Sequence, residues 1–174
     1  MPIERSATPI DTTRMTAVTR QLLDASTLCS IASVSANGQP HINTAYFAWD
    51  GSLNVVWMSE REAQHSQNVR TNGAVAIAVY DSSQVWRGPN RGIQLFGSAD
   101  ELEGEAVREA KAIYGRRFDA FAEKDFGSYC FYRCRLQRLK LFDEQMLGDA
   151  TFVTARVSSN GELAWERTEV YRVM

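Results

Sequence analysis

Residues 28–59 read LCSIASVSANGQPHINTAYFAWDGSLNVVWMS, and this stretch decides the fold. Two apolar runs and then a third are separated by Asn37-Gly38 and Asp50-Gly51. Such dipeptides supply the positive φ angles of tight hairpins, so the three runs read as an antiparallel meander. A short polar helix follows, EREAQHSQNVR at 60–70, and then two more apolar runs, AVAIAVY at 74–80 and RGIQLFGSA at 91–99. The predicted strands are 28–36, 40–49, 53–59, 74–81 and 91–100, with a helix at 61–71 between the third and fourth. That much sheet in so few residues buries its inner face by curling, which predicts a small barrel.

Toward the N-terminus, the first twelve residues are polar, carry Pro2 and Pro9, and read as an arm. Asp11, Thr12 and Thr13 are capping residues for a helix through Asp24, with Met15, Val18, Leu22 and Leu23 at helical spacing. Toward the C-terminus the period changes after Asp100. Leu102, Ala106, Val107, Ala110, Ile113 and Tyr114 form the apolar face of a helix over 101–121, ended or kinked at Gly115. Residues 129–142 alternate again, as a long strand that closes the barrel. Runs 151–157 and 162–171, joined at Asn160-Gly161, read as a further hairpin. The expected organisation is an arm at 1–12, a barrel domain at 13–150, and a hairpin extension at 151–174 packed on the barrel or on a dimer partner.

The 174 residues are 44% apolar and 23% charged, as in ordinary globular proteins. A net charge of -2 and a pI near 5.7 argue against broad binding of nucleic acid, whose footprint is a basic face. Cys29, Cys130 and Cys134 have no metal-ligand spacing and read as buried free thiols of a reducing compartment. No apolar run approaches the roughly 18 residues of a membrane span, and MPIERSATPIDTTR lacks a signal-peptide core. The expected location is the cytoplasm.

There is no Gly-rich phosphate loop, His-Glu-x-x-His, Cys-x-x-Cys or serine-elbow pattern, and no paired carboxylates stand out. No catalytic residue is assigned. A polar cluster does stand out: Ser59, Arg61, Gln64, His65, Ser66, Asn68 and Arg70, where an apolar strand ends and a helix starts. A helix N-terminus offers free N–H groups and a favourable dipole to an anion. Ser59 is placed as a cap or phosphate donor, with Glu62 three residues on as in a capping box.

The order of these elements, with WMSEREAQHSQNVRTNGAVAIAV and RGIQLFGSADEL, resembles the pyridoxamine 5'-phosphate oxidase-like family of the FMN-binding split-barrel superfamily. The resemblance spans about residues 15–142. Ser59 matches the family's strand-end Thr or Ser, Asn72-Gly73 its Asn-Pro pair, and Gly97-Ser98-Ala99 its Gly-Xaa-Ala strand end. Trp86 stands before Arg91-Gly92 as a Trp stands before the oxidases' Arg-Gln pair. The implied fold is mainly β with helices, a split β-barrel of Greek-key-like antiparallel strands with flanking helices.

The resemblance implies FMN at the interface of a homodimer. Asn43, Thr44, Ala45, Tyr46, Val56, Trp57 and Met58 would face the isoalloxazine and ribityl chain, and Ser59, His65 and Ser66 the phosphate. Trp86, Arg91 and Gln94 would reach in from the partner subunit. Trp49, Trp57 and Trp86 are large enough to stack or to line a pocket, and equally suited to a core. The implied activity is an FMN-dependent oxidoreductase acting on a small organic substrate. Alternatives are a deazaflavin coenzyme in the same groove, a flavin- or haem-binding protein without turnover, and an empty barrel used for interaction. A deazaflavin's acidic tail favours a more basic chain than this one.

The departures are specific. The family's phosphate-binding Lys falls on His65, the Arg before it on Gln64, and the Arg opening the second strand on Asn43. The Lys that holds the substrate phosphate falls on Ala48, and the C-terminal Arg-Leu-Ala-Pro has no counterpart in EVYRVM. A true pyridoxamine phosphate oxidase is therefore not expected. Of the two lost cations, His65 replaces one only when protonated, with an ordinary pKa near 6.5, and Arg61, Arg70, Arg87 or Arg91 is the candidate for the second, so affinity is expected to fall as pH rises past about 7.

Overall fold

The computed structural model describes residues 3–6, 9–123 and 127–171. Residues 1–2, 7–8 and 172–174, parts of the predicted arm and tail, lie outside the described residues. The strands are β1 (Ile3–Ser6), β2 (Leu28–Val34), β3 (Pro40–Trp49), β4 (Val55–Glu60), β5 (Ala74–Val79), β6 (Arg91–Glu101), β7 (Tyr129–Asp143), β8 (Thr151–Val157) and β9 (Leu163–Tyr171). The helices are α1 (Thr12–Asp24), α2 (Gln64–Thr71), α3 (Glu105–Arg117) and α4 (Glu144–Leu147), with a 3-10 turn at Asp119–Glu123.

All the strands belong to one antiparallel sheet, in the order β1-β9-β8-β7-β4-β3-β2-β5-β6, and a further β7–β6 pairing closes six of them into a barrel. The long strand β7 makes this possible. One edge pairs with β6 along its length, while the other is shared, Tyr129–Cys134 with β4 and Arg138–Phe142 with β8. The barrel is thus continued by β8, β9 and β1, so the predicted hairpin lies in the barrel's own sheet, and residues 3–6 of the predicted arm form its edge strand.

Alternation sends Ile31, Phe47, Trp57, Ile77, Leu95 and Leu139 into the barrel, capped by Met15, Val18, Leu22 and Leu23 of α1. On the outside, Ala48, Val56 and Phe131 form a second cluster under Leu102, Ala110 and Tyr114. The register of β7 against β6 shifts between Phe96 and Gly97, a bulge that reverses which alternate residues of β7 face inward. A Cβ on Gly97 would lie 2.2 Å from the carbonyl oxygen of Arg135, so this close approach requires glycine.

Two of the predicted turns take the same form. Ser35-Ala36-Asn37-Gly38 and Ser158-Ser159-Asn160-Gly161 each place only the glycine at positive φ, 82° in both. Ser35 and Ser158 accept the N–H of Gln39 and Glu162, closing three-residue loops. The Asp50-Gly51 turn differs from expectation. Asp50 Oδ1 accepts the N–H groups of Ser52 and Asn54, both at 2.9 Å, and the positive φ of 64° falls on Leu53.

The helix boundaries also move. α1 begins as predicted, with Asp11 accepting the N–H of Arg14. α3 starts at Glu105, because β6 continues to Glu101, and it runs to Arg117, past Gly115. α2 starts at Gln64, and Ser59 remains in β4, so the expected Ser59–Glu62 capping box does not form; the N-cap Ala63 has no side-chain bond. Cys29 and Cys134 are buried free thiols and Cys130 is half-buried. Among the described residues no helix is long and apolar enough to cross a membrane.

Candidate functional site

β3 pairs with β2 from Pro40 to Tyr46 but with β4 only from Phe47 to Trp49. The edge of β3 therefore parts from β4, and a cleft of about 630 Å³ opens there. One side is Asn43, Thr44, Ala45 and Tyr46 of β3 with Met58 and Ser59 of β4; His65 of α2 stands at one end. The opposite wall is Tyr114, Phe118, Ala120, Phe121 and Tyr129. Its aromatic rings are mutually packed, with Tyr114 4.7 Å from Phe118 and 5.2 Å from Phe121 between centroids, and Tyr46 5.8 Å from Phe118.

That wall is fixed by Arg117, which donates to the carbonyls of Leu23 and Ser26 at 2.9 and 2.7 Å. Its guanidinium also lies 4.5 Å from the ring centre of Phe47. The end of α3 is thus tied to the end of α1 through a half-buried cation. Burial pushes the Tyr114 phenol up to about 12, so it stays a neutral hydrogen-bonding group.

At the other end, α2 is held by Asn68, which donates to Ser33 at 3.0 Å and accepts from Gln64 at 2.8 Å. Ser66 donates to the carbonyl of Glu60 at 2.8 Å. These contacts seat His65, 9% exposed, with Nε2 buried and unpartnered. Oδ1 of Asn43 is likewise buried without a partner. A buried polar atom without a partner costs about 1–3 kcal/mol, so two of them at one cleft mark where ligand atoms belong. The helix N-terminus beside them, lacking a side-chain cap, adds oriented N–H groups.

Among the described lining residues none is Asp, Glu, Lys or Arg. The nearby Arg61 and Arg70 pair with Glu101 at 3.3 and 3.1 Å. His65 stacks on His41, the chain's other histidine, with ring centres 6.3 Å apart. Burial, with the charge of His41 second, lowers the His65 pKa below its ordinary 6.5, so the ring is neutral at pH 7 without an anion. The lowered pKa means that His65 carries charge at neutral pH only where a neighbouring anion raises it again.

The structure brings together Asn43, Thr44, Ala45, Tyr46, Met58, Ser59 and His65. Val56 and Trp57 point away into the two cores, where Trp57 stacks on Tyr132 at 5.6 Å. Ser66 is buried against Glu60. Trp86 is 88% exposed in the β5–β6 loop, Gln94 lies on the open outer face, and Arg91 is paired with buried Asp143 at 2.8 Å. Trp49 donates to Asp24 at 3.0 Å.

The pyridoxamine 5'-phosphate oxidase family model matches residues 15–143, from the first helix to the end of the closing strand. The chain belongs to the pyridoxamine 5'-phosphate oxidase family. Two family signatures separated in sequence meet here: the N–H of Ala99 donates to the carbonyl of Gly73 at 2.7 Å. A Cβ at Gly73 would lie 2.7 Å from the Ala99 oxygen, which accounts for glycine in place of the family's proline.

No curated protein matches the sequence. Among solved structures, a haem-binding protein from Mycobacterium smegmatis superimposes with a TM-score of 0.71 at 15% identity, covering 89% of this chain and 62% of that one. This chain thus spans about three-fifths of that protein. HutZ, the haem storage protein of Vibrio cholerae, gives 0.61 at 18% identity, covering 72% and 92%. A putative pyridoxamine 5'-phosphate oxidase from Listeria innocua gives 0.59 at 22% identity, covering 73% and 97%. At these identities the likeness is one of fold.

The cleft's aromatic wall was absent from the sequence reading. Its signal is the spacing of Tyr114, Phe118 and Phe121, one stripe at i, i+4 and i+7 that continues past the helix end.

Proposed function

We propose that the protein is a homodimeric FMN-dependent oxidoreductase of this family, acting on a small neutral organic substrate. The observation that carries it is the pair of unpartnered buried atoms, His65 Nε2 and Asn43 Oδ1, beside the uncapped start of α2. A flavin phosphate there accepts from His65, Ser59 and helix N–H groups. The β3 edge at 43–46 and the aromatic wall offer a slot for a flat ring. Bound FMN supplies hydride and electron transfer, and the chain supplies position, exclusion of water and polarity. Ala48, where the oxidases hold a substrate phosphate with Lys, is buried under α3, which argues against a phosphorylated substrate.

The outer sheet face supports the dimer. The outward residues of β2, β3, β5 and β6 include Leu28, Val34, Ile42, Tyr46 and Phe96, and a charged one, Asp100, lies near the end of β6 and pairs with Arg135. Ile42 is 68% and Tyr46 57% exposed, and Tyr46 also lines the cleft. A second copy seated on this face covers the cleft mouth. Purified protein is expected to quench added FMN fluorescence and to sediment as a dimer, and Ile42→Lys to weaken both. A monomer that neither carries nor quenches FMN defeats the reading.

Haem is the second reading, favoured by the unpartnered imidazole nitrogen in an aromatic cleft and by haem-binding proteins of the same fold. A single intense Soret band on haem titration, absent in His65→Ala, with no effect on flavin fluorescence, selects it.

A further inference from the structure

We propose that the sheet extension carries a second ligand site, a groove on β7, β8 and β9 that binds a multiply charged phosphoryl anion. The groove, about 480 Å³, is lined by Arg138, Arg156, Ala164, Trp165, Glu166 and Arg167. Most of it lies beyond residue 143, where the family match ends.

The register shows that this is a built arrangement. Arg138 and Arg156 are direct cross-strand partners, a like-charge pairing that ordinarily destabilises a sheet. They are held together by Glu166, 3.1 Å from Arg138 Nε and 2.6 Å from Arg156 Nε. Glu166 is the extra residue of a β-bulge: Thr154 pairs with Arg167, but Ala155 pairs with Trp165. The bulge is what inserts a carboxylate between the two arginines, and bulges commonly re-aim side chains at sites.

Beside it, buried Glu169 gathers Lys140, Arg167 and Arg5 at 3.4, 3.4 and 3.7 Å. Five cations therefore face two carboxylates, a surplus of three positive charges on a chain whose net charge is -2. Arg156 is 73% exposed and Arg138 54%, so their charge is presented to the groove mouth rather than consumed in the core.

The second observation is Thr154. It sits in register between Lys140 and Arg167, is 2% exposed, and its hydroxyl has no hydrogen-bond partner. A fold that needed only apolar filling would be served by valine there. Thr154 lies outside the groove's lining, so its hydroxyl meets a phosphoryl oxygen only when the neighbouring Lys140 and Arg167 side chains move aside. Clustered guanidinium groups favour phosphoryl oxyanions over neutral ligands through paired N–H donors. The confined width of the patch, set by three strands, suits one or two phosphoryl groups.

Inorganic pyrophosphate and ADP are the two probes, since a free phosphate and a nucleotide share this chemistry. Calorimetric titration of the full chain at low salt is expected to show saturable pyrophosphate binding that weakens steeply as salt rises. Arg156→Gln/Arg167→Gln changes two exposed side chains, so the fold is expected to survive, as circular dichroism will show. That variant is expected to lose about tenfold or more in affinity, and near-isosteric Thr154→Val a few-fold. FMN titration is expected to be unchanged in both. ADP binding more tightly than pyrophosphate identifies a nucleotide ligand; equal or weaker binding identifies the phosphoryl group alone. No saturable binding of either probe, or equal affinity in wild type and the double variant, overturns the proposal.

Discussion

The cleft beside β3 and the groove on β7–β9 open on one continuous sheet, yet they are built from opposite chemistry. The described lining of the cleft has no charged side chain, and its polar atoms are amide, hydroxyl and imidazole groups among aromatic rings. The groove carries three arginines and a glutamate. The difference comes from what lies behind each. The cleft wall is backed by α3 and the aromatic cluster around Phe131, where unpaired charge is costly. The groove lies on the outer face of a sheet extension, where cations keep their water and need only partial pairing. Specific shape is thus expected to dominate in the cleft, and long-range charge in the groove.

Forcing charge into the neutral region is expected to have the largest effect. Ala48 is 1% exposed and pairs with Val56 beneath α3. Ala48→Lys, which restores the family's lysine, buries an ammonium with no partner and is expected to cost about 3–5 kcal/mol in denaturant unfolding. Ala48→Val is expected to be far milder. A stable, folded Ala48→Lys protein would mean that α3 lifts readily and that the cleft wall is not fixed. Next in size, Tyr114→Ala removes the ring shared by Phe118, Phe121 and Phe131 and is expected to cost about 3 kcal/mol. Urea melts should show this loss, while pyrophosphate binding at the groove stays unchanged.

The barrel was legible because apolar runs and Asn-Gly turns are local signals; that both turns close through a serine four residues back appears only in the structure. The Asp50-Gly51 turn was misplaced because the Asp50 carboxylate, not the glycine, organises that loop. Ser59 looked like a cap, but the β4–β7 pairing keeps it in the sheet opposite Cys130. Half of the cleft was legible, since 43–46 and 58–65 are close in sequence. The wall of Tyr114, Phe118 and Phe121 arrives from a distant helix and the turn after it, and only packing brings it there. The groove was invisible: Arg138, Arg156 and Arg167 are widely spaced, and a single bulge decides that Glu166 meets two of them.

A crossed pair of variants sharpens the contrast between the two sites. His65→Gln removes the imidazole at the cleft and is expected to weaken FMN binding about tenfold, the scale of one hydrogen bond to a charged group. Arg156→Gln/Arg167→Gln is expected to leave FMN affinity unaltered. Fluorescence titration of both proteins checks this, and a loss of FMN affinity in the arginine variant would mean that the groove serves the cleft.

The smallest effect is the pH dependence of stability through His65. Its folded pKa is lowered below 6.5 by burial, with His41 adding to the effect. Between the two pKa values the unfolded chain therefore binds more protons, and stability rises with pH. The contribution is full above the ordinary value and is lost as pH falls below the folded one. His65→Gln is expected to flatten this part of the stability profile. A bound phosphate reverses the sign by raising the His65 pKa, so FMN affinity is expected to be greatest in acid and to fall as pH rises through the bound-state value. Unfolding curves of wild type and His65→Gln, each with and without FMN, measure both slopes. If the two proteins share the same slopes, the ring at position 65 is not the group that couples the cleft to protons.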